Sequence, residues 1–214
     1  MTHQGVRGVC GVPNVRRIGA GSYRAMPWKN GGGTTTEIAR SPAGESLDDF
    51  DWRVSVARVA QGGPFSRFAG VDRSIAILEG EGLVLEVDAK GEKGETKRLD
   101  PRSPPFSFPA DVAVTASLVG GAIEDFNVMT RRGRWRHLLT RVGARDGAEA
   151  MAPELGDRGD VGLVFVVAGT AEAERGGHHE HLGPRDTLLF ERGGSLALTL
   201  SPEAELLAVA LWRD

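Results

Sequence analysis

A single cysteine, Cys10, stands among 214 residues. That excludes an intrachain disulfide and a cysteine-based zinc site, and it fits a reducing compartment. Histidine is absent from Gly21 to Arg132, and carboxylates alone are an unusual way to hold iron, nickel or zinc, so no metal is expected in that stretch. Charge of one sign is missing too. Lys and Arg total 26 against 29 Asp and Glu, a formal net charge of −3, which leaves no electrostatic footprint for nucleic acid or an anionic membrane. The one basic cluster, Arg131 to Arg136, is interrupted by Gly133 and Trp135 and reads as a solvated strand edge. No run approaches a membrane span, and Met1 to Gly21 lacks the apolar stretch of a secretion signal. A cytoplasmic protein with neither nucleic-acid nor membrane partners is the expectation. Nucleophile-elbow, phosphate-loop and dinucleotide motifs are also lacking; Gly31-Gly32-Gly33-Thr34 has no following Lys-Ser/Thr.

What is present is glycine, 30 residues of it, and short apolar or alternating runs between Gly, Pro and Asp. Trp52 to Val59, Ser74 to Leu78, Leu83 to Val87, Val112 to Val119 and Asp125 to Thr130 read as strands. Val161 to Val167, Thr187 to Phe190, Ser195 to Leu200 and Glu205 to Leu211 do likewise. Sustained helical periodicity is missing, so the fold class is all-β, of sandwich or barrel type.

The two halves echo each other. Ile75 to Gly80 parallels Leu163 to Gly169, and Leu99-Asp100-Pro101-Arg102-Ser103 parallels Leu182-Gly183-Pro184-Arg185-Asp186. Phe108 to Leu118 then aligns with Phe190 to Leu200, and Glu124 to Met129 with Glu205 to Ala210. An internal duplication accounts for this order. The expected division is an N-terminal arm (1–21), a first barrel (22–133), a crossover (134–158) and a second, structural barrel (159–214), with strands exchanged between the halves.

His178-His179-Glu180-His181 places two imidazoles on one face of a strand. No histidine follows, and glycines flank the run, so a solvated hairpin arm is the reading and no metal or cofactor is expected. The first half instead carries polar residues where the second is apolar: Asp125, Asn127 and Met129 share one strand face, as do Arg53 and Ser55 on another, whereas Leu206, Ala208 and Ala210 fill the matching positions. Burying such a face costs a few kcal/mol unless each group finds a partner, and a polar ligand is one such partner. Arg53 or Arg73 suits a carboxylate; Asn30 and Asn127 suit an amide or formyl group. Residues 27–37, from Pro27 to Glu37, add a flat ring at Trp28, a close backbone approach at Gly31 and Gly32, and the Thr35 hydroxyl. With Ser66 and Phe68, these make up the candidate ligand-binding set. Plainer alternatives stand beside it: a hairpin at Asn30-Gly31, an Arg53–Asp125 salt bridge, a satisfied core amide at Asn127, a turn-capping Ser66 and a core Trp28.

Three strings in order, Trp28-Lys29-Asn30-Gly31-Gly32-Gly33, Phe50 to Ala57 with Gly63 to Arg73, and Asp125 to Arg132, resemble the HutD/Ves family of bicupins. Ala110 departs from the glycine usual at its position. The resemblance implies two stacked cupin-like barrels and a link with histidine utilisation. It further implies a non-catalytic regulatory protein that binds a small carboxylate such as formylglutamate or urocanate. A cupin-type enzyme, using His179 and His181 or Asp125, and a stress-related interaction protein are the alternatives. The expected partner is the small molecule, with a homodimer left open.

Overall fold

The computed structural model describes residues 15–28, 30–44, 49–89, 92–143, 160–191 and 196–214. Cys10, most of the expected N-terminal arm and residues 144–158 of the expected crossover lie outside them. β1 (Val15–Ile18), β2 (Arg24–Pro27), β3 (Gly33–Ser41) and β4 (Trp52–Val59) come first. Next are β5 (Gly63–Pro64), β6 (Val71–Glu79), β7 (Leu83–Ala89), β8 (Glu92–Leu99) and β9 (Phe106–Pro109). Then follow β10 (Val114–Leu118), β11 (Ile123–Arg131), β12 (Trp135–Gly143) and β13 (Val161–Ala168). The last are β14 (Ala171–Arg175), β15 (His178–Leu182), β16 (Thr187–Glu191), β17 (Ala197–Leu200) and β18 (Glu205–Arg213). Among the described residues the one helical element is a 3-10 turn at Ala20–Ser22, and no helix is long and apolar enough to cross a membrane.

These strands form four sheets, in the orders β2-β3-β4-β11-β6-β9, β5-β10-β7-β8, β1-β16-β13-β18-β12 and β15-β14-β17. Period-two alternation distributes their side chains among three apolar layers. Ile75, Ile77 and Ala57 meet Leu83, Leu85 and Val114 inside the first sandwich. Val164, Leu206 and Phe190 meet Ala173, Leu182 and Leu198 inside the second. The other faces of the two large sheets pack together, with Val54, Phe126 and Val128 against Leu163, Phe165 and Leu207. Phe126 and Phe165, both fully buried, have ring centroids 5.1 Å apart across this seam. All-β is therefore the fold class, and each unit is two sheets face to face. The chain changes sheet through tight turns instead of carrying hydrogen bonds around the corner. Gly80 and Gly82, between β6 and β7, have φ of 92° and 100°, and a Cβ on Gly82 would sit 2.0 Å from the Leu99 carbonyl oxygen.

The connectivity occurs twice. β11-β6-β9 with β10-β7-β8 is matched by β18-β13-β16 with β17-β14-β15. Both central pairs carry a register shift at one place: Glu124 pairs Glu79 and Asp125 pairs Ile77, while Glu205 pairs Ala168 and Leu206 pairs Val166. The turns agree as well. The Asp100 amide donates to Ser103 Oγ at 3.0 Å, and the Gly183 amide to Asp186 Oδ2 at 3.0 Å. Asp125, Asn127 and Met129 thus occupy the positions of Leu206, Ala208 and Ala210.

Two strands fall outside the expected division. β1 joins the second unit by pairing β16, and Arg17 reaches Asp186 at 2.7 Å. Trp135–Gly143, expected within the crossover, is β12, an edge strand paired along its length with β18. Trp135 and Leu139 of this strand face the seam and Val142 faces the second core, with more solvated residues between them.

Candidate functional site

The inward face of the six-stranded sheet is apolar where it covers the first core and polar over the neighbouring rows. Register builds those rows residue by residue. Thr35, Ala57, Asp125 and Ile77 lie across β3, β4, β11 and β6; Glu37, Ser55, Asn127 and Ile75 lie in the next row. Arg53, Met129, Arg73 and Phe108 form the third, across β4, β11, β6 and β9. A bulge between Glu37 and Ala39 ends the inward run of β3 at Glu37.

Four charged side chains, Glu37, Arg53, Arg73 and Asp125, occupy this face, and their formal charges cancel. Arg53 Nε donates to Glu37 Oε2 at 2.6 Å. Arg73 Nε donates to Asn127 Oδ1 at 2.9 Å, its Nη2 donates to the same oxygen, and Asn127 Nδ2 donates to Asp125 Oδ1 at 2.5 Å. Asn127 therefore bridges a cation and an anion, with each end of its amide turned to the group it satisfies. Arg73 also sits over the Phe65 ring, 4.4 Å from its centroid, with Phe108 at 5.8 Å. Such contacts suit a guanidinium drawn away from water.

Two buried atoms in the cluster have no protein partner: Arg53 Nη2, a donor, and Asp125 Oδ2, an acceptor. Asp125 is 1% exposed and Arg53 5%. Burial pushes the Asp125 carboxyl up to about 6, against the opposing pull of Arg73 and Asn127. Burial likewise lowers Arg73 to about 10, partly offset by Asp125. The face therefore holds a donor and an acceptor that no protein group answers, an arrangement that costs stability unless each finds another partner.

Of the residues singled out in the sequence, Arg53, Ser55, Arg73, Asp125 and Asn127 come together here, with Thr35 in the row of Asp125. The alternative pairing of Arg53 with Asp125 is replaced by Arg53 with Glu37. Trp28 packs against the first core and donates its Nε1–H to Thr35 Oγ1 at 2.8 Å. Met129 and Phe68 belong to a small apolar cluster with Phe50, Val71 and Ala110. Asn30 does not reach the cluster. It is exposed, and its Oδ1 accepts from the Gly32 amide at 3.0 Å, so Asn30, Gly31 (φ 70°) and Gly32 serve the β2–β3 turn. A separation of two positions within a glycine run favours that local bond over a distant one. Ser66 is exposed as well. Glu37 and Phe65 are the residues that sequence reasoning left out of the binding set; a Glu two positions beyond Thr35 on the same alternation was the available signal for the first.

His178, His179 and His181 lie exposed on β15, where His181 Nδ1 is 2.5 Å from Glu172 Oε1 on β14. The second sandwich's interior keeps one guanidinium, Arg175, which donates to the Glu191 carbonyl and stacks 4.5 Å from the Phe190 ring centroid.

Comparison with known proteins bears on this site. The family model HutD matches residues 20–208. An uncharacterized 21.2 kDa protein in the hutC 3′ region of Pseudomonas putida is 37% identical over 186 residues, 86% of this chain and 91% of its own. Protein Ves of Citrobacter koseri is 41% identical over 150 residues, 68% of this chain and 71% of its own. The structure of HutD from Pseudomonas fluorescens SBW25 superposes with a TM-score of 0.73 at 34% identity, covering 94% of this chain and 99% of that one. At 9% identity, the E. coli protein YlbA shares the fold alone, with a TM-score of 0.65.

Proposed function

This chain belongs to the HutD family, and on that premise we propose that it is a non-catalytic binder of a small carboxylate. The ligand also bears a hydrogen-bond donor, as formylglutamate and urocanate do. The observation that carries this is the pair of unmatched buried atoms, Arg53 Nη2 and Asp125 Oδ2. A carboxylate oxygen answers the first and an N–H the second, and supplying both removes the penalty of leaving them dry. Phe65, stacked on Arg73, keeps water from that flank. In this reading, occupancy of the site moderates histidine utilisation, in keeping with the position of the P. putida relative beside hutC. The repeated connectivity and shared register shift support reading the chain as a bicupin that arose by duplication, its first unit keeping the polar face. The rival reading, with Asp125 as a metal-free general base, draws on a carboxyl pushed to about 6.

Thermal melting tests the proposal. Ligand at 100 times its dissociation constant stabilises the fold by roughly 2.7 kcal/mol. Formylglutamate or urocanate should raise the melting temperature, and Arg53→Ala and Asn127→Ala should weaken the shift. Glutarate, which offers carboxylates and no donor, should act more weakly; His179→Ala should change nothing. Absence of a shift across millimolar concentrations of both compounds overturns the ligand class. Turnover of either compound, abolished by Asp125→Asn, would favour the general-base reading.

A further inference from the structure

β6 and β11 present a second set of polar side chains on their opposite faces. Ser74 and Thr130 alternate with Arg73 and Met129 and point to the seam between the sandwiches, where His137 of β12 lies between them. Ser107 Oγ is 2.6 Å from Ser74 Oγ, Ser74 Oγ is 2.7 Å from His137 Nε2, and His137 Nδ1 is 2.7 Å from Thr130 Oγ1. Ser74 and Thr130 are each 1% exposed, whereas Ser107 is open to solvent. Burial lowers the imidazole to about 4, so it is neutral near pH 7.

Counting protons shows what this chain of bonds can do. Three hydroxyls and one neutral imidazole hold four N–H or O–H protons and share three bonds, so one proton is left over at an end. With the proton on Nδ1, Ser107 donates inward to Ser74 and shows only lone pairs outward. With the proton on Nε2, Ser74 donates to Ser107, and the Ser107 hydroxyl is free to donate outward. One tautomer shift of His137 therefore turns Ser107 from acceptor to donor, and the chain matches a ligand hydroxyl of either sense.

Ser107, Thr130 and His137 line a cavity of about 440 Å³, a volume typical of small-molecule sites. Trp135, Trp212 and Pro109 supply apolar wall. The charges at its rim are already answered. Arg132 Nη2 lies 2.6 Å from Asp72 Oδ1 and its Nη1 3.2 Å from Asp111 Oδ2, while Arg136 Nε lies 2.5 Å from Asp214 Oδ1. Arg73 lines the cavity too, and with it three guanidinium groups meet three carboxylates, so no net formal charge selects an ion. The aromatic wall suits the C–H face of a ring, and the switchable hydroxyl suits an alcohol.

We propose that this seam cavity is a second binding site, for an uncharged cyclic polyol of pyranose size. Arg53 and Asp125 do not line it; Arg73 and Phe108 border both sites.

Saturation-transfer NMR on the full chain, with methyl glucoside as probe and gluconate as its anionic counterpart, tests the site. Methyl glucoside should show saturable transfer at millimolar concentration, and gluconate should bind less well. Ser107→Ala, a change at an exposed position, should weaken the glucoside roughly fivefold through one lost hydrogen bond. Trp212→Ala should weaken it too, and Arg53→Ala, at a residue of the other cluster that does not line this cavity, should leave it unchanged. No saturable transfer, preference for gluconate, or indifference to both Ser107→Ala and Trp212→Ala would overturn the proposal. A glucoside signal that vanishes with Arg53→Ala would place the probe in the first sandwich and overturn it as well.

Discussion

Replacing Asp125 with Asn should make the empty protein more stable at neutral pH. The buried carboxyl is raised from 3.8 to about 6, so between those values the folded state holds a proton that the unfolded chain has released. Stability from this group therefore falls as pH rises from about 4 to 6, and the full penalty is present at pH 7. At ~1.4 kcal/mol per tenfold, the displacement corresponds to about 3 kcal/mol. Asparagine keeps the shape and can still accept from Asn127 Nδ2, but it never ionises. Asp125→Asn should raise the melting temperature at pH 7 by roughly 6–12 °C for a domain of this size, and the gain should vanish by pH 4. His137 runs the other way. Its imidazole is lowered to about 4, so the unfolded chain binds the extra proton between about 4 and 6.5, and stability from that group rises with pH across the window. The two slopes oppose each other in the native protein, and the substitution should unmask the His137 slope as a steeper loss on acidification. Differential scanning calorimetry of both proteins from pH 4 to 8, without ligand, reads all of this. An unchanged or lower melting temperature for Asp125→Asn at pH 7 would refute the claim that this carboxylate is buried at a cost.

Phe126→Ala empties the seam opposite Phe165 and should cost about 3–5 kcal/mol in denaturant unfolding, since both rings are fully buried. Gly82→Ala combines a φ of 100° with a Cβ 2.0 Å from a backbone oxygen and should cost at least ~2 kcal/mol by the same measurement.

Much of this arrangement is legible in the residues. The alternation on β11 puts Asp125, Asn127 and Met129 on one face and Phe126 and Val128 on the other, and the structure sends the first set inward and the second to the seam. The strand edges read from alternating runs lie within a few residues of those observed. β8 escaped because Glu92–Leu99 is mostly charged, as befits an edge strand that must discourage further pairing. Glu37 follows the alternation of Thr35, but its partner Arg53 lies one row further along β4, a diagonal contact that neither strand shows alone. Asn30 misled because the amide that makes it an attractive ligand group also makes it a good turn residue, and the nearer partner prevailed. Ser74, Thr130 and His137 could not be associated in advance, since each looks ordinary on its own strand and only the stacking of two sandwiches brings them together.

The pairing of β1 with β16 has a consequence for how the chain reaches this state. Ile18 must wait for Thr187, and at 5–20 residues per second the ribosome takes roughly 8–34 s to make residues 19–187. During that interval the first sandwich can assemble from β2 to β11, but the apolar outer face of its large sheet stays uncovered until β13 and β18 arrive. Nascent chains stalled after Arg131 should therefore recruit holdase chaperones, and release from them should coincide with synthesis of β18.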